Sequence, residues 1–304
     1  LFTGRALRNI DLLIEAIRAL PPSVQPVFEL CLTASIGQMS NMVFAITGRG
    51  KTEGKESEKI EVGSWVIGYW RPELHFEINV WSRFYIRAKR LIKALEKSPF
   101  SLPRHQLTDD PMQVLHNDAR VAIVRADAFT TLNQLDDNCI DLILTDPPHG
   151  DRVPYLELSE MWNAILGNHV DFEREIVVSN AVDRHKGLNQ YSTAMNKFLN
   201  IAVDLLKEGG FLIILFNAGK SEDWQYLHTF TLPESSDNSL EYLGHFPVPY
   251  SARSVVQDSR RGSLKDDFAM VFRKPGAEEA TYDRVQNLQA LDGWSLTFPT
   301  GKEG

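Results

Sequence analysis

A short apolar segment that ends at two consecutive prolines is the feature that most constrains how this chain folds. Residues 140–144 have the length and apolar content of a buried strand, and Asp146, Pro147 and Pro148 follow them closely. Two prolines remove two backbone donors and hold the chain extended, so carbonyl oxygens lie beside one carboxylate. Open α/β sheets place their chemistry at this end of their strands. We therefore predict a site that accepts hydrogen bonds and donates none.

Around this segment, short apolar stretches alternate with helical patterns. From residue 119 onward the alternation is typical of a doubly wound parallel sheet in an α/β fold. Strands of this sheet are predicted at residues 121–124, 140–144 and 211–216. A final antiparallel hairpin is predicted from residues 241–245 and 268–272.

The first hundred residues have a mainly helical character. Apolar residues recur at helical spacing from Leu7 to Ile17, until Pro21 and Pro22 stop the pattern. Further helices are predicted over residues 24–36 and 80–95, and a linker over residues 99–111. The predicted organisation is a helical region at 1–105 that could recognise DNA, an α/β catalytic domain at 106–276, and a tail at 277–304.

The composition is that of an ordinary globular protein. The chain has 304 residues, of which 43% are hydrophobic and 24% charged. No apolar run approaches the ~20 residues that span a bilayer. Its two cysteines give neither a disulfide framework nor a metal-ligand spacing, so we expect a cytoplasmic protein with no metal and no membrane partner.

Two clusters of basic residues interrupt an otherwise acidic sequence. The net charge of −8 argues against a protein that coats nucleic acid along its whole surface. A solvated surface is the simpler explanation for either cluster alone. The residues that could contact a DNA backbone are Arg83, Arg87 and Arg90 in the predicted helix and Arg260, Arg261 and Lys265 near the carboxyl end.

The segments on either side of Asp-Pro-Pro follow a recognisable order. Upstream, residues 125–129 have the sequence Arg-Ala-Asp-Ala-Phe and precede a short helix, a turn and the apolar strand. Downstream, residues 153–162 run into a helix, and residues 206–214 form a helix end, a turn and a strand. With Asp-Pro-Pro before a planar residue, this order resembles the S-adenosylmethionine-dependent DNA amino-methyltransferases, which methylate adenine N6 or cytosine N4. The resemblance covers roughly the last two-thirds of the chain.

This resemblance implies a Rossmann-like methyltransferase sheet, S-adenosylmethionine as cofactor and double-stranded DNA as partner. It implies catalytic roles for Asp146, Pro147, Pro148 and His149, and places Asp127 and Asp146 near the cofactor. Asp146 and the Pro147 carbonyl would accept the two amine hydrogens of a flipped base that stacks on His149. His149 departs from the family, which commonly has Tyr, Phe or Trp there. Two simpler explanations remain: His149 is a solvated loop residue, and Asp127 caps the following helix.

One family feature is missing from the sequence. The family binds the methionine end of its cofactor with a glycine-rich turn, usually Phe-x-Gly-x-Gly, and this chain has none. The sheet is therefore expected to be incomplete at its N-terminal strands. The chain would be the carboxyl-terminal portion of a longer protein, or a partner subunit supplies the missing half, or the methyltransferase is inactive.

The function predicted from the sequence is DNA methylation at an exocyclic amine, with adenine N6 favoured and cytosine N4 as the alternative. Such an activity is typical of bacterial or phage restriction-modification. A noncatalytic DNA-binding or assembly subunit with the same fold is the rival hypothesis. The sequence carries no zinc-deaminase, serine-hydrolase or phosphate-loop signature.

Overall fold

A computed structural model describes the chain at residues 1–47, 60–63, 65, 68–97, 103, 106–151, 153–218, 224, 226–227, 240–249, 266–276 and 293–298. Its helices are α1 (Gly4–Arg18), α2 (Gln25–Ile36), α3 (Val80–Lys97), α4 (Pro111–Leu115), α5 (Ala128–Leu132), α6 (Tyr155–Leu166) and α7 (Leu188–Leu205). Its strands are β1 (Ala45–Ile46), β2 (Glu61–Val62), β3 (Leu107–Thr108), β4 (Val121–Ala122), β5 (Ile140–Thr145), β6 (Leu206–Phe216), β7 (Glu241–Pro249) and β8 (Asp266–Arg273).

These elements form two compact units. Unit 1 comprises Leu1–Ser101 together with Tyr155–Asp171, and unit 2 comprises Leu102–Pro154 together with Phe172–Gly304. Helix α6 thus belongs to the helical unit, although it follows β5 in the chain. The domain boundaries predicted after residues 105 and 276 stay predictions. No helix in the described part of the chain is long and apolar enough to cross a membrane.

Unit 1 begins with the amphipathic helix α1. Its sequence provides both an N-terminal capping residue and an apolar face. The Thr3 hydroxyl accepts a hydrogen bond from the Ala6 N–H at 3.0 Å and so satisfies one free donor of the first turn of α1. Ala6, Ile10 and Ile17 recur at helical spacing and are buried. The predicted first helix is therefore confirmed.

Helices α2, α3 and α6 complete the core of unit 1. The helices predicted at residues 24–36 and 80–95 are confirmed, with α3 extending two residues further. Helix α6 contributes Trp162, whose indole N–H donates to the Thr33 carbonyl at 2.9 Å. Its ring also meets Trp65 edge to face, with centroids 5.8 Å apart. These contacts fix α6 against the rest of unit 1.

Gly37 is a closely packed position in unit 1. It follows α2, and a Cβ at this position would overlap the Trp65 ring. We expect Gly37→Ala to lower the free energy of unfolding by about 1–3 kcal/mol, because the ring would have to move in a packed core. Chemical denaturation measures this change. Gly4→Ala is the matched control, since nothing lies within 4 Å of a Cβ there. Equal stability of the two variants would contradict the packing argument.

Unit 2 is built on a four-stranded mixed sheet with the order β5-β6-β8-β7. Strands β5 and β6 are parallel, whereas β8 is antiparallel to both β6 and β7. The predicted antiparallel hairpin is confirmed. Helix α7 packs its stripe of Tyr191, Met195 and Leu199 against β6 and β8 in one buried cluster. The overall class is therefore mixed α/β.

The prediction of a doubly wound parallel sheet was wrong in the sheet to which it assigned its first strand. Residues 121–124 were expected in the same sheet as β5, but among them only Val121–Ala122 forms a strand, and it pairs in parallel with Leu107–Thr108 in a separate sheet. This pairing also replaces part of the linker expected at residues 99–111. Alternating apolar residues indicate a strand but carry no information about which neighbour it pairs with.

Strand β6 begins five residues earlier than predicted because it contains an irregularity. Ile140 pairs with Leu206, whereas Leu142 pairs with Phe211, so the β6 side carries extra residues between these pairs. Gly209 adopts a φ of +74° within this stretch, which glycine tolerates without strain. After this irregularity, residues 211–214 of β6 pair one to one with residues 142–145 of β5.

Candidate active site

The Asp-Pro-Pro turn (residues 146–150) leaves the carboxyl end of β5, as its sequence predicts. Thr145, the last residue of β5, pairs with Ile214, so the end of β6 runs beside the start of the turn. Gly150, the last residue of the turn, adopts a φ of +59°, which glycine tolerates without strain. The four predicted catalytic residues thus lie together in one turn at the carboxyl end of two parallel strands.

His149 is a buried member of this turn. The residue is 8% exposed, and its ring packs edge to face against Phe216 with centroids 4.8 Å apart. Its Nε2 atom lies 3.1 Å from a carboxylate oxygen of Asp146 and 3.2 Å from the Leu215 carbonyl. Both neighbours only accept hydrogen bonds, so Nε2 carries the proton and donates. His149 is therefore not the solvated loop residue that the simpler explanation requires.

Two further hydrogen bonds hold the Asp-Pro-Pro turn against the rest of unit 2. The buried Tyr191 of α7 donates its hydroxyl proton to the Pro148 carbonyl at 2.6 Å. The backbone N–H of Val178 donates to the Gly150 carbonyl at 3.1 Å. Together with the contact of His149 to β6, these bonds connect the turn to a strand, a helix and a neighbouring segment. The turn is consequently fixed by contacts to three separate parts of unit 2.

The two acceptors of the turn differ in exposure, since Asp146 is exposed and Pro147 is buried. The Asp146 side chain is 68% exposed, and His149 contacts one of its two carboxylate oxygens. Among the described residues, none donates a hydrogen bond to the Pro147 carbonyl, whereas Tyr191 occupies that of Pro148. The Asp146 carboxylate is thus open to a donor from a ligand, and the carbonyl of the buried Pro147 keeps its acceptor capacity within the described residues.

Asp127 caps helix α5, as the simpler explanation of this residue predicts. One of its carboxylate oxygens accepts from the backbone N–H of Thr130 at 2.8 Å and from the Thr130 hydroxyl at 2.9 Å. These two bonds hold the pKa of Asp127 below its ordinary value, with smaller contributions from Arg174 and Lys197. Asp127 is accordingly an ionised carboxylate at neutral pH.

Asp127 also lines a cavity of about 390 Å³ within unit 2. Arg174 and Lys197 bring positive charge to its wall, and the Lys197 ammonium lies 4.5 Å from the centre of the Phe129 ring. Tyr191 lines the same cavity and bonds to the Pro148 carbonyl, so one residue connects the cavity to the Asp-Pro-Pro turn. Its volume lies within the range of small-molecule sites, and its lining is largely charged and polar.

The capping role of Asp127 gives a prediction for stability. We expect Asp127→Ala to lower the free energy of unfolding by about 0.5–2 kcal/mol, whereas Asn, an equally good cap, changes it little at neutral pH. Because its folded-state pKa is lowered, the charge of Asp127 stabilises the fold above the ordinary Asp pKa, and this contribution is lost as pH falls through the folded-state value. Urea titrations at several pH values measure it. The same pH profile in the wild type and the Asn variant would contradict this account.

The predicted DNA-contacting residues do not belong to this turn. Arg83, Arg87 and Arg90 lie on α3 in unit 1. Arg260, Arg261 and Lys265 lie outside the described residues. No group of three metal-ligating side chains occurs in the described ranges.

Neither cysteine has the environment of a nucleophile. Cys31 is buried in the core of unit 1, and burial raises the pKa of its thiol. Burial, followed by the nearby Asp136, also raises the pKa of Cys139. A reactive cysteine requires the opposite shift, because the thiolate is the attacking species. These two environments do not favour chemistry that needs a cysteine nucleophile, such as methylation at cytosine C5.

Tyr191 and Phe216 are parts of the site that sequence reasoning missed. Tyr191 begins the stripe that continues through Met195 and Leu199, so its burial on the inner face of α7 was a detectable signal. Its partner Pro148 was not detectable, because 43 residues separate the two in sequence. Phe216 ends a predicted strand, but no local pattern indicates that it packs against His149.

Comparison with known proteins gives only distant structural matches. No family model matches the chain, and no curated protein matches it. Twelve chains of known structure match. Two of them are structures of a candidate DNA modification methylase from Thermus thermophilus, both with 14% identity and a TM-score of 0.28. The matches cover 53% and 62% of this chain and 56% and 61% of the other, which is less than two-thirds of its length. A TM-score this low does not establish a shared fold.

Proposed function

We propose that this chain carries the catalytic turn of an S-adenosylmethionine-dependent DNA methyltransferase. The proposed reaction transfers a methyl group to the exocyclic amine of a flipped base, with adenine N6 favoured over cytosine N4. The observation that carries this proposal is the exposed Asp146 carboxylate, in a turn held to β6 and α7, next to the buried Pro147, whose carbonyl accepts no hydrogen bond from the described residues. A cytoplasmic restriction-modification role is proposed with it.

The two acceptors suit an amine that must become a nucleophile. The lone pair of an exocyclic amine is delocalised into the base, and it becomes available only when the nitrogen rehybridises. Asp146 and the Pro147 carbonyl would each accept one amine hydrogen, which directs the lone pair towards the methyl donor. Positive charge grows on the nitrogen during transfer, so the carboxylate stabilises the transition state more than the ground state.

Tyr191 and His149 are proposed as positioning residues for these acceptors. Tyr191 fixes the second proline through its carbonyl, and His149 fixes the Asp146 carboxylate through Nε2. A stacking role for His149 also stays a prediction. A ring that is 8% exposed and packs against Phe216 offers little face to a base, so the geometry favours positioning.

The cavity beside the turn is the proposed location for part of the cofactor. Its ionised Asp127 suits hydroxyl or ammonium donors, and its cations Arg174 and Lys197 suit a carboxylate, so the lining fits a polar, zwitterionic ligand. S-adenosylmethionine would supply the methyl group when bound. The sequence has no glycine-rich turn for the methionine end, so these residues fit only part of this cofactor.

Double-stranded DNA is the proposed substrate, and the basic residues of α3 are proposed to contact its backbone. Arg83, Arg87 and Arg90 would neutralise phosphates and release counterions. The same role is proposed for Arg260, Arg261 and Lys265. Binding should therefore weaken as salt concentration rises.

The direct test is incubation of the chain with methyl-labelled S-adenosylmethionine and mixed-sequence duplex DNA. After digestion, the nucleosides are separated and counted. Label in N6-methyladenosine supports the first proposal, and label in N4-methylcytosine changes the base but keeps the class. Label in 5-methylcytosine would overturn the amine chemistry.

A noncatalytic DNA-binding or assembly subunit is the second candidate, and the edge of the sheet favours it. Within the described strands, β5 pairs on one side only, and its Leu142 and Leu144 are exposed. An open edge with exposed apolar residues can accept a strand from another polypeptide. This candidate predicts DNA binding without S-adenosylmethionine binding in calorimetry, and cofactor binding by the chain alone would exclude it.

A further inference from the structure

Helix α3 is strongly basic, although the chain as a whole is acidic. It carries six Lys or Arg residues and a single Glu, whereas the net charge of the chain is −8. The cations occur along the whole length of the helix. They are Arg83, Arg87, Lys89, Arg90, Lys93 and Lys97.

Two exposed aromatic rings lie along one flank of this basic helix. Trp81 is 60% exposed and Tyr85 is 47% exposed, and their rings stack with centroids 6.1 Å apart and an interplanar angle of 19°. The ammonium of Lys89 lies 4.8 Å from the centre of the Tyr85 ring. The three residues are spaced four apart and form a row, which we name the α3 ring row (Trp81, Tyr85 and Lys89).

The core of unit 1 fixes the direction in which this row points. On the neighbouring face of the helix, Val80 and Phe84 are buried in the unit 1 core, and Phe84 contacts Phe28 with centroids 6.3 Å apart. Trp81 also contacts Phe84, with centroids 5.9 Å apart. The helix therefore cannot bury the rings by rotating, because rotation would expose its core residues.

We infer that the α3 ring row is a binding surface for the unpaired bases of nucleic acid. Flat exposed rings stack on bases, and flanking cations hold the phosphates that connect them. Every base offers a π face, so this surface would bind without strong sequence preference. Neighbouring Arg90 and Lys93 are exposed and supply the charge that the backbone requires.

A membrane surface is the other partner that attracts basic helices with aromatic residues. A helix that lies on a membrane buries its main apolar face among the lipids. The main apolar face of α3 already packs into the core of unit 1, which leaves only one flank for insertion. The geometry thus favours nucleic acid over a membrane.

This inference extends the DNA-binding part of the proposed function. It concerns binding to unpaired bases and is measured without a methyl donor. A failure of the α3 ring row to bind unpaired bases and a failure of the chain to transfer a methyl group would therefore be separate results.

The test is fluorescence anisotropy of the full chain with three probes of one length. These are a single-stranded DNA of mixed sequence, the same sequence as a duplex, and an abasic strand that keeps the phosphates. We expect Trp81→Ala and Tyr85→Ala each to weaken single-strand binding by roughly 5- to 150-fold and to leave abasic-strand binding unchanged. Trp81→Phe should retain most of the binding. Trp70→Ala is the matched control, because Trp70 is similarly exposed but lies outside α3.

A charge variant tests the second half of the inference. Lys93→Gln should weaken binding to the single strand and to the abasic strand alike. The slope of log affinity against log salt concentration should fall in magnitude by about 0.7. Circular dichroism and thermal unfolding confirm that each variant is folded. Unchanged single-strand affinity in folded Trp81→Ala and Tyr85→Ala would overturn the inference. So would equal weakening on the abasic strand, or ring-dependent binding to vesicles of anionic lipid with no ring-dependent binding to DNA.

Discussion

Asp146→Asn should lower the turnover number of methyl transfer by about 10²–10³-fold, while the fold and DNA affinity stay unchanged. The substitution removes the negative charge and offers an amide donor where the amine needs an acceptor. Because the Asp146 side chain is 68% exposed, the variant should unfold at the temperature of the wild type. Single-turnover kinetics with labelled S-adenosylmethionine measure the effect on the chemical step.

Asp141→Asn is the matched control for this experiment. Asp141 lies on the same strand, β5, and its exposed carboxylate pairs with Lys207 at 2.9 Å on the surface. An exposed ion pair contributes little to stability, and this one is not part of the Asp-Pro-Pro turn. Its substitution should therefore leave methyl transfer unchanged. A folded Asp146→Asn variant with the activity of Asp141→Asn would remove Asp146 from the proposed mechanism.

A pair of substitutions at His149 should separate positioning from stacking. His149→Gln keeps an N–H donor near the place of Nε2 but loses the ring, whereas His149→Phe keeps a ring against Phe216 but loses the donor. If His149 positions Asp146, the Phe variant should lose about 10- to 150-fold in turnover number, because it lacks a hydrogen bond to a charged group. The Gln variant should retain a larger share of the activity.

The kinetic constants distinguish the two roles of His149 further. Loss of positioning lowers the turnover number with little change in KM, whereas loss of a stacking ring weakens base binding and raises KM. A Phe variant as active as the wild type, or more active, together with a Gln variant that binds DNA poorly, would support stacking. That outcome would require the His149 ring to leave its buried place when DNA binds.

Local sequence patterns correctly predicted several of the helices and strands, and the place of the candidate turn directly after β5. The helices of the first hundred residues and the final hairpin are confirmed, because their periodicities of 3.6 and 2 are local properties. The position of Asp146 after β5 could also be predicted, since a strand must end where two prolines follow. The Asp127 cap was one of two explanations that local chemistry allowed, and its bonds to Thr130 support it.

The sequence alone determined which acceptors the chain offers and at which end of which strand they lie. The tertiary structure decided the rest. It paired Val121–Ala122 with Leu107–Thr108 in a sheet separate from that of β5, buried His149 against Phe216, and brought Tyr191 to Pro148. The physical reason is that strand partners and side-chain burial depend on residues far apart in the chain, such as His149 and Leu215, which are 66 positions apart. Local patterns do not encode such contacts, which form only when the core packs.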